Sequence, residues 1–242
     1  MSHADTTLAP VLALRVREAS PATSRALLLR LDLEGRSFPY HAGQAALLGR
    51  HGQQTRKAYS IASAPGDAAA SGSLEFLVAR TDTGALGAHL APLDPGTLVD
   101  VEGPLGSFTL PDAAESGRLV LVAGGTGIAP LRAMLHEALR HRPRLRVALA
   151  LSARSARDVP FAAELDALVR QRRADVLVTL TREIPDGWHG AQGRLTCEHL
   201  APLLGPGETW CAVCGPPGFV AHATTLLAWL GVEESRILGE RW

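Results

Sequence analysis

Three short segments of this 242-residue chain combine residue types that could do chemistry. In Lys57-Ala58-Tyr59-Ser60-Ile61-Ala62-Ser63 a cation, an aromatic ring and a hydroxyl follow in quick alternation. On a strand the period of two sets Lys57 and Tyr59 on one face and Ser60 on the other. An ordinary half-exposed strand would look the same. Gly124-Gly125-Thr126-Gly127-Ile128-Ala129-Pro130 follows an apolar run. Such glycines let a backbone approach a phosphate, and the amides opening the next helix favour an anion. Pro130 suits a first helical turn, where a missing N–H costs nothing. A tight turn without ligand uses the same residues. In Cys214-Gly215-Pro216-Pro217-Gly218-Phe219 the Pro and Gly residues predict an open turn that exposes Cys214 at the carboxyl end of its strand. That is the edge where open α/β sheets bind ligands.

Cys211 and Cys214 have a CxxC spacing, but no second pair accompanies them, and a strand would put them on opposite faces. The nine histidines include no spaced ligand cluster, so no metal site is expected. His89 and His136 fall in segments read as helical and are expected to be packing or surface residues.

The elements that must position these segments change character near residue 112. Before it, short alternating runs bounded by Gly and Pro (11–16, 25–31, 45–48, 58–62, 74–79 and 98–102) predict an antiparallel barrel. One helix, over 85–91, interrupts them. After it, strands at 119–123, 145–151, 176–181, 210–214 and 236–238 alternate with helices at 130–140, 161–172 and 217–230. That alternation predicts a five-stranded parallel sheet with right-handed crossovers. The polar, acidic stretch 111–117 reads as the linker between a domain over 1–112 and another over 113–242.

Composition is that of a globular protein, with 46% hydrophobic and 20% charged residues. Lys+Arg and Asp+Glu balance at 24 each, so no bulk field draws the chain to nucleic acid or an anionic membrane. Residues 1–10 lack the pattern of a signal peptide, and no apolar run approaches a membrane span. With three cysteines and no disulfide framework, the cytoplasm is the expected compartment.

Taken in order, the three segments resemble the flavin, pyrophosphate and nicotinamide motifs of the ferredoxin/flavodoxin–NADP⁺ reductase family. Gly43-Gln44, the run Glu102–Phe108 and the terminal Glu240-Arg241-Trp242 are similar as well. The resemblance covers about residues 12 to 242. It implies an N-terminal barrel holding FAD and a C-terminal α/β domain taking NADP(H) or NAD(H) as substrate. Tyr59 would stack on the flavin, Ser60 would bond near its N5, and Lys57 would neutralise the pyrophosphate. Ala58, Leu77, Val78 and the segment Gly84, Ala85, Leu86 and Gly87 would add flavin contacts. Gly124, Gly125, Thr126, Gly127, Ile128 and Pro130 would hold the nucleotide pyrophosphate. Cys214, Gly215 and Pro216 would meet the nicotinamide, and Trp242 would cover the flavin. Ser60, Cys214 and Glu240 would form the catalytic relay.

Two positions depart from the family pattern. Lys57 stands where the family has Arg, with Arg56 adjacent, and Lys lacks the bidentate fork. Gly87 replaces a hydroxyl that the family often places at the phosphate helix.

Arg154, Arg182 and Arg194 follow strands where the family keeps 2′-phosphate contacts, which favours NADPH over NADH. The resemblance implies a monomer that passes electrons to ferredoxin or flavodoxin. Two alternatives stay open: an NADH-dependent reductase component of a multicomponent oxygenase, and a flavin electron-transfer subunit that does not use NAD(P)H. Arg140, Arg142, Arg144 and Arg146 read as a solvated helix end or, more sharply, as a docking patch for an acidic carrier.

Overall fold

The computed structural model describes residues 11–80 and 89–241. Two six-stranded sheets form, one antiparallel and one parallel. The first holds β1 (Val11–Thr23), β2 (Ala26–Asp32), β3 (Ala45–Arg50), β4 (Lys57–Ser60), β5 (Ser73–Ala79) and β6 (Leu98–Leu105) in the order β4-β3-β6-β1-β2-β5. Its two edges meet at an antiparallel bridge between Ile61 and Phe76, and the Ala62 amide donates to the Glu75 carbonyl at 2.7 Å. The barrel therefore closes one residue beyond Ser60, which fixes where that side chain sits. Leu14, Leu29, Leu48, Phe76 and Val101 alternate inward and fill its interior.

The first strand runs seven residues beyond the expected 11–16, through two register shifts against β2. Its half-exposed polar continuation breaks the alternation that sequence reading relies on. A short helix, α1 (Pro65–Ser71), was not expected. The helix expected over 85–91 lies mainly outside the described residues, and His89 and Leu90 stand in a turn.

The parallel sheet joins β7 (Gly117–Gly124), β8 (Leu145–Ser155), β9 (Asp175–Glu183), β10 (Ala191–Gln192), β11 (Thr209–Gly215) and β12 (Ile237–Arg241) in the order β10-β9-β8-β7-β11-β12. It has six strands rather than the expected five. The addition, β10, pairs only Ala191 and Gln192 with Thr179 and Leu180, too short a run to leave a periodic signal. Leu119–Ala123 is wholly buried, as a central strand covered on both faces must be. On one face lie α2 (Ile128–His141) and α3 (Ala162–Arg170); on the other lie α4 (Cys197–Leu204) and α5 (Pro217–Trp229). Cys214 packs into the first of these cores and Cys211 into the second, as opposite faces of one strand require.

The strand order reverses direction between β7 and β11. A crevice must open above the carboxyl ends of those strands, and both ligand-type turns leave from there. The α2 face also buries Ala42, Ala62, Leu77 and Phe108 from the barrel side, so the two lobes share a continuous apolar core. Among the described residues no helix is long and apolar enough to cross a membrane.

Candidate active site

Glu240, on β12, brings the two lobes together chemically. Its Oε2 accepts a hydrogen bond from Ser60 Oγ at 3.4 Å and a longer one from Cys214 Sγ at 3.9 Å. Parallel pairing sets Cys214 directly beside Glu240 on the neighbouring strand. Burial raises the Glu240 carboxyl above its ordinary value, and the two donors offset part of that rise. Burial, reinforced by the Glu240 charge, also pushes the Cys214 thiol up. Cys214 is fully buried, which corrects the expectation of an exposed residue on an open turn. It stands at the carboxyl end of its strand as expected, but as a neutral thiol.

Tyr59 is half-buried and stacks against His89, with ring centroids 6.0 Å apart and planes 17° from parallel. Its hydroxyl lies 2.9 Å from His89 Nε2. Burial and the Lys57 charge lower the His89 pKa, so the ring is neutral and Nε2 can accept from the phenol. Sequence reading gave His89 only a packing or surface role. Lys57 and Ala58 are exposed. Arg56 does not assist Lys57, because its guanidinium points to Asp100 and Glu102 at 3.4 and 3.3 Å. Leu77 and Val78 are buried on β5, one in the shared core and the other in the barrel core. Gln44 and the Glu102–Phe108 run meet, since Gln44 Nε2 donates to the Gly106 carbonyl at 3.0 Å. Gly84, Ala85, Leu86, Gly87 and Trp242 lie outside the described residues.

The glycine turn is a helical turn, Gly125–Gly127, leading straight into α2, with Pro130 in the first turn of that helix. Its glycines serve different needs. A Cβ on Gly127 would lie 2.3 Å from the Cys214 carbonyl oxygen, and one on Gly124 would lie 2.9 Å from the Phe219 ring. Gly125 has φ +56 and open space beside it, so there the turn itself requires glycine. Gly215 packs back on Gly124.

Gly124, Gly125, Thr126 and Pro216 line a cleft of about 380 Å³ that reaches from Thr23 and Ala79 of the barrel to Ser152 and Arg154. A second cleft of about 490 Å³ shares Ser152, Arg154, Thr181, Pro216 and Phe219 with it and adds Arg182 and Arg194. Arg154, Arg182 and Arg194 are exposed and have no carboxylate partner among the described residues. An anion-accepting turn and unneutralised guanidinium groups along one trough fit a phosphorylated dinucleotide. The Tyr59 ring, the Lys57 cation and the Ser60 hydroxyl fit a flavin nucleotide laid against the barrel.

Of the arginines read as a possible docking patch, Arg140 pairs with Asp67 and Arg142 with Glu115, whereas Arg144 and Arg146 have no carboxylate partner among the described residues. Among the described residues no group of three or more His, Cys, Asp or Glu is placed to hold a metal ion.

An antiparallel barrel joined to a parallel sheet, with its crevice between them, defines a two-lobed flavin and nicotinamide oxidoreductase. Residues 12–110 match the model of an oxidoreductase FAD-binding domain, and residues 121–225 that of an oxidoreductase NAD-binding domain. The chain is 32% identical over 237 residues to a protein of Sorangium cellulosum named ferredoxin–NADP reductase B, covering 94% of each. It is 34% identical to an NADPH oxidoreductase of Mycobacterium tuberculosis over 83% of this chain, but it spans only 52% of that protein. The chain therefore belongs to the ferredoxin–NADP⁺ reductase-like flavoprotein family, whose cofactors are FAD and NAD(P)(H).

Solved structures agree on the fold. The Amycolatopsis cytochrome P450 reductase superposes with a TM-score of 0.82 at 27% identity, over 99% of this chain and 73% of that one. A Neisseria gonorrhoeae ferredoxin NADP⁺ reductase with bound FAD and NADP gives 0.79 at 22% identity, over 96% and 98%.

Proposed function

We propose that this protein transfers hydride between NADPH and bound FAD and hands the electrons to a separate protein carrier of the ferredoxin or flavodoxin type. The observation that carries this reading is the contact of Ser60, from the barrel, and Cys214, from the parallel sheet, with one carboxylate. Bound flavin supplies the redox chemistry; the protein supplies placement and a proton-holding group.

In this reading the lobes divide after residue 112. Tyr59, held by His89, gives a flat platform. Ser60 donates at the flavin edge, and Glu240 orients Ser60 while holding a proton beside it. Cys214 fills the nicotinamide side with a neutral, weakly polar surface and keeps water out. Gly125 and Thr126 present backbone amides to a pyrophosphate, and Gly124 and Gly127 let β7, β11 and α2 close up beneath it.

The preference for NADPH rests on Arg154, Arg182 and Arg194, which lack carboxylate partners among the described residues. The Sorangium relative, named for ferredoxin and NADP, supports the same choice of donor and carrier. Cytochrome b5 reductases are similar over about half their length, so the carrier is the open variable. The expected compartment is the cytoplasm.

The test is direct. Purified protein should be yellow and bleach under NADPH without oxygen, with kcat/KM for NADPH above that for NADH. Colour that neither nucleotide bleaches would defeat the enzymatic reading, and a roughly tenfold preference for NADH would defeat the donor assignment. Stopped-flow oxidation by ferredoxin, flavodoxin and an oxygenase component would rank the carriers.

A further inference from the structure

Arg132, His136 and Arg140 stand one turn apart along α2 and share one face. Facing them are carboxylates from three other elements: Glu75 on β5, Asp67 on α1 and Glu164 on α3. Arg132 is almost buried, at 12% exposure. Its Nε lies 2.9 and 3.0 Å from the two Glu164 oxygens, and its Nη2 donates to Oε2 at 2.8 Å. The remaining terminal nitrogen, Nη1, donates to Glu75 Oε2 at 2.8 Å and to the Ala62 carbonyl at 2.9 Å. The guanidinium lies over the Phe161 ring, 4.3 Å from its centroid. His136 braces the same carboxylate, with Nε2 2.9 Å from Glu164 Oε1 and Nδ1 2.7 Å from Asp67 Oδ2.

The position of this cluster matters more than its charge. Ala62 is two residues past Ser60, where β4 leaves for its bridge to β5. Arg132 is two residues past Pro130, at the start of the helix opened by the glycine turn. One planar group, saturated on several edges, thus links the end of the barrel strand to the beginning of α2. A guanidinium fork is rigid, so the spacing it sets is narrow.

We propose that Arg132 is a positioning residue that fixes the separation of the Ser60 strand from the glycine turn, with Glu164 and His136 holding its orientation. This rests on the reading above, in which those two segments hold flavin and nucleotide. A merely stabilising ion pair would alter the melting temperature and leave the reaction geometry alone. A positioning residue changes the rate of hydride transfer at saturating nucleotide.

The experiment compares flavin-loaded wild type with Arg132→Met and Arg132→Lys. Flavin content, NADPH affinity and the anaerobic bleaching rate with protiated and deuterated NADPH are measured. Hydrogen exchange over residues 57–63 and 124–132 is followed without nucleotide. For Arg132→Met the expected result is flavin content and NADPH affinity within about threefold of wild type, with hydride transfer slower by roughly tenfold to a hundredfold. Exchange in both segments should be faster, and Arg132→Lys should recover part of the rate.

A bleaching rate within about twofold of wild type, or a loss confined to NADPH affinity, would overturn the proposal. If Arg132→Met does not fold, Glu75→Gln, which keeps an acceptor opposite Nη1, is read in the same way. A wild-type protein that neither nucleotide bleaches would defeat the functional reading instead. The exchange measurement would then decide alone, and unchanged exchange in the variant would overturn the positioning role.

Discussion

Ser60 Oγ on β4 lies 3.4 Å from Glu240 Oε2 on β12, across 180 residues of sequence. Burial raises the Glu240 carboxyl, so it takes up a proton at higher pH than an exposed glutamate does. Glu240→Gln keeps the shape and cannot ionise. The flavin reduction rate of wild type should therefore show an ionisation above pH 4.5, the ordinary glutamate value, that is missing in Glu240→Gln. Ser60→Ala should slow reduction by roughly tenfold to a hundredfold with flavin still bound. Identical pH profiles for wild type and Glu240→Gln would remove the carboxylate from the mechanism.

The glycine turn predicts an asymmetry between two substitutions that look alike. Ala at 127 would bring its Cβ to 2.3 Å from the Cys214 carbonyl oxygen, where backbone meets backbone and neither side yields cheaply. The expected cost is ~1–3 kcal/mol. Ala at 125 meets nothing within 4 Å and is opposed only by its φ of +56, a cost of ~1–2 kcal/mol. Thermal unfolding of the two variants should rank Gly127→Ala as the less stable, and equal losses would contradict the packing.

Arg56 is committed to Asp100 and Glu102, which leaves Lys57 as a cation on β4 without a carboxylate partner among the described residues, free for the pyrophosphate in the proposed reading. Lys57→Arg should bind FAD several-fold more tightly, by offering a fork to the pyrophosphate in place of a point charge. Equilibrium release of FAD fluorescence measures this. Weaker binding by Lys57→Arg would mean that Lys57 does not face the pyrophosphate.

The α2 interface titrates. Burial opposes the charge on His136, but the hydrogen bond and charge of Glu164, with the hydrogen bond of Asp67, outweigh it and the repulsion of Arg132, raising the imidazole above 6.5. Burial likewise opposes the Glu164 charge, yet His136 and Arg132 hold that carboxyl down at about 2. The raised histidine stabilises the fold fully below pH 6.5, and its contribution disappears as pH rises through its folded-state value. The depressed glutamate contributes above pH 4.5, and that is lost as pH falls towards about 2. Stability from this cluster should peak between those two unfolded-state values. His136→Gln should remove the decline on the alkaline side, measured by urea unfolding across pH.

Much of this was legible beforehand, for identifiable reasons. The β7 run is continuously apolar and α2 is long and amphipathic, and the motif segments carry residue types that few other structures need together. Sequence reading missed α4 because Pro202 interrupts it, although Thr196 and His199 form a capping box that marks its start. The family resemblance placed Ser60 with Cys214 and Glu240 across the lobes, but the contacts that Arg132 makes between them were missed. Nothing local to Arg132 distinguishes it from its many neighbours of the same type. Its role comes from Ala62, Glu75 and Glu164, which meet it only after both sheets have formed. His89 is a similar case, since its partner Tyr59 lies 30 residues away.

The shared apolar core has a consequence for recombination. Ala42, Ala62, Leu77 and Phe108 are buried against Ala129, Leu131, Met134 and Leu135, and a Cβ on Gly43 would strike Met134 at 2.4 Å. The halves are therefore not interchangeable cassettes. A chimera joining this barrel to another member's nucleotide lobe inherits a mismatched seam unless the α2 contact residues travel with the barrel, and a chain cut at the linker leaves two sticky fragments.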